Sequence, residues 1–152
     1  MRIGLISDTH GLMRPEALDA LQGCGRILHA GDIGDPGILA ALEAIAPVTA
    51  IRGNNDTADW ARELPDTRLV RLGDIAVYML HDLKELPARP AGAPVDVIVA
   101  GHSHKPLIET RDGMLIVNPG SAGRRRFRLP ISVARLLVDG RRVEASIIEL
   151  PV

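Results

Sequence analysis

Aromatic residues are scarce: one Trp, one Tyr and one Phe make up 2% of the 152 residues. That scarcity disfavours the stacked-base platforms on which many single-strand nucleic-acid binders rely. Cysteine is rarer still, since Cys24 stands alone. It cannot close an internal disulfide or build a zinc knuckle, and it reads as a small buried apolar residue. Charge of either sign is not in excess, because 18 Lys and Arg against 19 Asp and Glu leave a formal net charge of -1. Such a chain has no global attraction to nucleic acid or to anionic membranes, so any basic footprint must be local. Long apolar runs are also missing. The N-terminal segment reaches Asp8 after one short run, with neither a signal-peptide core nor a membrane-spanning length. The expected location is cytoplasmic, with no membrane partner.

Hydrophobic residues at 46% and charged residues at 24% are typical of a soluble globular protein. The length suits one domain over residues 1–152. In the first half, short apolar runs at 3–7, 27–30 and 48–51 alternate with helical spacing at 15–22 and 36–46. This β-α-β-α-β order predicts parallel strands whose loops gather at the carboxyl edge of a sheet. Pro15 suits a first helical turn, Gly23 a helix end, and Asp35-Pro36 an N-cap followed by N1. The second half carries runs rich in Val, Ile and Leu at 68–72, 75–80, 95–100, 107–110, 114–118, 131–138 and 142–149. Gly73-Asp74, Asp112-Gly113 and Asp139-Gly140 divide successive runs by two residues, the spacing of tight hairpins. The expectation is an α/β half joined to an antiparallel-rich half. Segment 83–94, with its repeated Pro, reads as a loop with room for one helical turn.

Chemistry enters at the ends of these runs. Asp8 and His10 follow the first, Asp32 the second, Asn54 the third, His81 the run 75–80, and His102 and His104 the run 95–100. Singly, each has an ordinary explanation: Asp32 as a helix cap, His81 as a core histidine, "RGNND" at 52–56 as a turn. Strand ends that meet at the carboxyl edge of an α/β sheet can instead bring all seven into one crevice. Carboxylates with imidazoles suit Mn, Fe, Zn or Ni, and one carboxylate can bridge a pair of divalent cations. Alternate spacing in Asp8-Thr9-His10 and His102-Ser103-His104 would turn both ligands of each pair to one side of an extended segment. Gly31, Gly53 and Gly101 precede ligands where the backbone must approach closely.

The series Asp8-x-His10, Gly31-Asp32, Gly53-Asn54-x-Asp56, His81 and Gly101-His102-x-His104 resembles the calcineurin-like metallophosphoesterases. "IVNPGS" at 116–121 is similar to the small YfcE-like phosphodiesterase branch. The resemblance implies a four-layer αββα fold with two mixed sheets flanked by helices. It implies two divalent metals, manganese foremost: Asp8, His10 and His104 on the first, Asn54, His81 and His102 on the second, and Asp32 bridging. It further implies hydrolysis of a small phosphodiester by a water or hydroxide held between the metals.

Two positions depart from the pattern. Asn55 stands where many members carry a His that assists the leaving group. It can hydrogen-bond a phosphoryl oxygen but cannot act as a useful acid. Leu80-His81-Asp82-Leu83 keeps the metal-binding His and lacks a second one. Asp56 reads as a solvated turn carboxylate, and His29 as either a core histidine or a support for the ligands. The arginine-rich stretch 123–130, Arg124 and Arg125 foremost, is either a phosphate clamp or a solvated loop or subunit contact. Trp60 either rims the site or packs elsewhere. The rival classes are a noncatalytic scaffold similar to the retromer subunit of this family, a monoesterase and a nuclease. Relatives commonly self-associate, so a homo-oligomer is also open.

Overall fold

The computed structural model describes residues 1–87, 92 and 94–152. Two five-stranded sheets form the frame. The first has the order β10-β9-β1-β2-β3, built from β1 (Arg2–Ile6), β2 (Arg26–His29), β3 (Val48–Ala50), β9 (Ser132–Asp139) and β10 (Arg142–Glu149). The second has the order β4-β5-β6-β8-β7, from β4 (Thr67–Leu72), β5 (Ile75–Leu80), β6 (Val97–Val99), β7 (Leu107–Arg111) and β8 (Met114–Asn118). Helices α1 (Pro15–Ala20) and α2 (Pro36–Glu43) connect β1 to β2 and β2 to β3.

The burial of β1 shows why the chain folds this way. Every residue of the strand except Arg2 is buried, so both faces need cover, as in the interior of a layered sheet. Ile3 and Leu5 point towards the other sheet, where they pack with Val77, Met79, Val97 and Val99. Ile6 points outward against Ala17 and Leu21 of the α1 region and Ile38 and Leu42 of α2. Cys24 lies buried in that outer layer as a small apolar residue, and Trp60 packs against it. Asp35 caps α2 by accepting from the Gly37 N–H at 2.7 Å, with Pro36 in the first turn.

Both α/β character and paired mixed sheets follow the expectation, and the three two-residue turns close hairpins β4-β5, β7-β8 and β9-β10. The two halves do not separate as expected. Strand β9 returns to pair antiparallel with β1, and β5, β6 and β8 run parallel. A sequence run fixes a strand's faces but not its neighbour, and β9 finds on β1 an edge left free by β2. The fourth layer is also thin. Outside the second sheet, Tyr78, Leu80, Ile98 and Ile116 are covered by Leu83 and Leu86 around a single 3-10 turn, Leu83–Glu85. That turn is the one allowed for in 83–94; the rest of that reading falls partly on residues 88–91 and 93, outside the described residues. No helix among the described residues is long and apolar enough to cross a membrane.

Candidate metal centre

Parallel strands β1, β2 and β3 of one sheet and β5 and β6 of the other end at a common edge, and the polar residues that follow them meet there. The crevice therefore lies between the carboxyl edges of two sheets, where sequence reasoning had supposed one. Asp8, His10 and His104 place one donor atom each within 4.8 Å of one another, and Asp32, His81 and His102 do the same. Asn54 joins the second group, its Oδ1 lying 3.2 Å from His102 Nδ1.

Backbone conformation achieves the convergence, and not by the extended geometry that alternate spacing suggested. Asp8, His10, Asp32, His102 and His104 all have left-handed φ values, between 46° and 70°. Residues with a Cβ adopt this region at a cost, and such strain concentrates at functional sites. Close approach makes the preceding glycines necessary. A Cβ on Gly53 would stand 2.2 Å from both the amide nitrogen and Oδ1 of Asp32; one on Gly101 would stand 2.0 Å from Ser7 Oγ.

The donor atoms are held short of one another. His10 Nε2 is 3.7 Å from Asp8 Oδ1 and 3.7 Å from Asp32 Oδ2, while His104 Nε2 is 3.4 Å from Asp8 Oδ1. His81 Nε2 is 3.2 Å from Asp32 Oδ2 and 3.8 Å from Asp8 Oδ1. Asp8 Oδ1, His10 Nε2 and His81 Nε2 are buried without a hydrogen-bond partner, as is His104 Nδ1. Buried polar atoms are ordinarily satisfied, so three orphaned donor atoms aimed at a common space fit a cation. The remaining atoms of these groups are fixed from behind. His81 Nδ1 donates to Ala30 O at 2.7 Å, which leaves Nε2 as the free lone pair in the neutral ring. Asp8 Oδ2 accepts from Ser7 Oγ at 2.7 Å and from the His102 N–H at 3.0 Å.

Several supporting residues were not identified from sequence. Asn118 donates to Gly101 O at 2.9 Å and to Ser103 Oγ at 3.1 Å, and Ser121 donates to Asp8 O at 3.1 Å. Their "NPGS" segment was visible as a motif, but no local signal gave it a task. Asp56 is a correction. It is buried, and its carboxylate accepts from the N–H groups of Ile33, Gly34 and Gly53 at 2.9–3.1 Å, joining the loops that carry Asp32 and Asn54. His29 proves to be both core and support: Nδ1 accepts from the Gly31 N–H at 3.1 Å, so Nε2 donates to Thr9 Oγ1 at 3.0 Å. Asn55 reaches Asp32 through its amide N–H at 2.9 Å and its side chain at 3.2 Å. Of the arginines, Arg125 is turned away, donating to Leu129 O and Val152 O at 3.2 and 2.8 Å. Arg124 and Arg126 are exposed, and the Arg126 charge opposes protonation of His10. Asp82 Oδ2 lies 3.8 Å from His102 Nε2, on the side of that ring opposite Asn54.

The profile of the calcineurin-like phosphoesterase superfamily domain matches residues 1–141. The chain belongs to this superfamily. A probable metallophosphoesterase of Methanothermobacter thermautotrophicus is 38% identical, covering 97% of this chain and 92% of the relative. Two solved structures share the fold. An archaeal phosphodiesterase superposes with a TM-score of 0.79 at 22% identity, covering 97% of this chain and 100% of that one. Chaetomium thermophilum Vps29 gives 0.79 at 22%, covering 99% and 100%.

Charge coupling in this metallophosphoesterase has a pH signature when no metal is bound. Burial opposes the charge of His81, but Asp32, the Ala30 carbonyl and Asp8 outweigh it and push its pKa up to about 9. A raised imidazole contributes stability that is complete below its unfolded value of 6.5 and lost as pH climbs through about 9. Burial pushes His29 down to about 4, so between 6.5 and about 4 the unfolded chain takes up a proton that the folded one refuses. Stability falls there as pH falls. Burial disfavours ionised Asp8 and Asp32, yet the neighbouring imidazoles and hydrogen-bond donors hold both below the usual carboxylate range, adding to the acid-side loss. Metal-stripped protein is therefore expected to melt highest near pH 6.5. Thermal melts across the two windows check this, and a melting temperature still rising towards pH 9 would contradict it.

Proposed function

We propose that this superfamily member is a metal-dependent phosphodiesterase that hydrolyses small phosphodiesters at a pair of divalent cations. The reading takes residues 1–152 as one cytoplasmic domain. The observation that carries it is the set of orphaned donor atoms on Asp8, His10 and His81, two of them on groups that share Asp32 as a neighbour. Asp8, His10 and His104 would hold one ion; Asn54, His81 and His102 the other; Asp32 would serve both. An all oxygen and nitrogen donor set without thiolate suits manganese, with Fe, Zn or Ni as alternatives. Bound there, the pair supplies Lewis acidity, which neutralises charge gathering on phosphoryl oxygens and makes water a competent nucleophile near neutral pH.

The chain's own residues orient the site and exclude alternatives. Asp56 and Asn55 fix the position of Asp32, and Ser7 and the His102 N–H fix that of Asp8. Asn55 offers a hydrogen bond without a transferable proton, so it cannot protonate a departing oxygen. General-acid assistance is commonly worth about 10²–10⁴-fold, and its loss falls on poor leaving groups. Aryl diesters are accordingly expected to react faster than alkyl diesters by at least about 10²-fold. Equal rates on both, with chemistry rate-limiting, would contradict this role for Asn55.

The relative's name and the archaeal phosphodiesterase fold support the reading at the level of class. The direct test is manganese-dependent hydrolysis of bis(p-nitrophenyl) phosphate by the wild type and by Asp32→Ala. The variant is expected to lose at least about 10²-fold, the scale of removing one charge-stabilising group. Equal activity would remove the shared carboxylate from the mechanism.

A further inference from the structure

The loop after β8 carries a residue that neither the fold nor the metal centre uses. Phe127, the chain's one phenylalanine, is 88% exposed, and its φ of 56° lies in the left-handed region. A single exposed apolar side chain is ordinary, but this one also holds a left-handed backbone, and such strain concentrates at functional sites. It stands on the wall of a cavity of about 920 Å³ together with Lys105, Arg126, Arg128 and Ser103. Ser103, on the wall of this cavity, separates His102 from His104, so the cavity adjoins the loop that carries both candidate ligands.

The other flank has the opposite character. A cavity of about 420 Å³ is lined by Asn54, His81 and His102 and, around them, by Asp66, Asp82 and Glu85, with Arg52 held by Asp66 at 2.9 Å. Beyond the candidate ligands that wall is acidic, so a second anionic group on a substrate is favoured on the Phe127 side. Arginine forks suit phosphate, and an exposed ring beside them suits a planar partner. A lone ring accommodates one base, not a strand.

Resting on the phosphodiesterase reading, we infer that Phe127, Arg126, Arg128 and Lys105 form a subsite for a nucleotide-like ester arm, with its base on Phe127 and a second phosphate on the cations. The substrate class is then a small nucleotide-derived diester. Three ligands without a competing aryl group separate the contributions: methyl phosphate, thymidine 5′-phosphate and thymidine 3′,5′-bisphosphate, titrated calorimetrically into manganese-loaded protein. Thymidine 5′-phosphate should bind about tenfold more tightly than methyl phosphate, the scale of one stacked base. Phe127→Ala should bring that ratio near one, and Phe127→Trp should keep it. Arg126→Ala with Arg128→Ala should remove the extra affinity of the bisphosphate. A wild type that does not discriminate, or a Phe127→Ala protein that keeps the full ratio, overturns the subsite. So does a wild-type dimer that Phe127→Ala disperses while the ratio stays unchanged, which would assign the ring to a second copy. Base-dependent binding without hydrolysis of bis(p-nitrophenyl) phosphate would refute the phosphodiesterase reading alone.

Discussion

Asp56→Ala should lower the stability of the folded protein by about 3–5 kcal/mol, although residue 56 touches no donor of the metal centre through its side chain. The residue is 4% exposed, and its carboxylate accepts from three backbone N–H groups, those of Ile33, Gly34 and Gly53. Hydrogen bonds to a charged acceptor are worth about 1.5–3 kcal/mol each, and buried donors left unpaired cost the desolvation already incurred. Water entering the gap offsets part of this, so the sum of three is an upper bound. Total stabilities of about 5–15 kcal/mol make such a loss severe. Asp56→Asn keeps one acceptor oxygen and should cost roughly half as much. Urea denaturation of metal-free protein measures both. An unchanged midpoint for Asp56→Ala would show that the loops after β2 and β3 are held by something else.

Gly53→Ala should leave the sheets intact and reduce metal-dependent hydrolysis by about 10²-fold, the usual cost of displacing a catalytic group by about 1 Å. The added Cβ would lie 2.2 Å from Asp32 N and Oδ1 and 2.8 Å from its Cγ. Real Cβ atoms do not approach so closely, and two of the three atoms belong to a carboxylate already fixed by Asn55. Asp32 must move, or the loop bearing Asn54 must. Gly25→Ala is the matched control, because its added Cβ meets nothing nearer than the Arg2 carbonyl at 3.9 Å. A Gly53→Ala enzyme as active as the Gly25→Ala control would mean that the position of Asp32 does not limit the reaction.

The contrast between these residues and the strands shows what a sequence can reveal. Runs such as 75–80 were readable because burial on both faces demands continuous apolar residues and because Gly73-Asp74 marks the turn before them. The seven candidate ligands were readable because each follows such a run. Their left-handed backbones were not, since Asp and His carry no composition cue for that region comparable to glycine. Asp56 looked like any turn carboxylate because two of its three donors lie more than twenty positions away. The arginine cluster was visible as charge, but only packing decides that Arg125 turns to the carbonyls of Leu129 and Val152.

Anomalous diffraction from a manganese-soaked crystal tests the central claim most directly. Two peaks are predicted in the crevice between the sheet edges, one against Asp8, His10 and His104, the other against Asn54, His81 and His102, with Asp32 touching both. A crystal in which those donors remain empty while manganese is bound elsewhere, or nowhere, would contradict it.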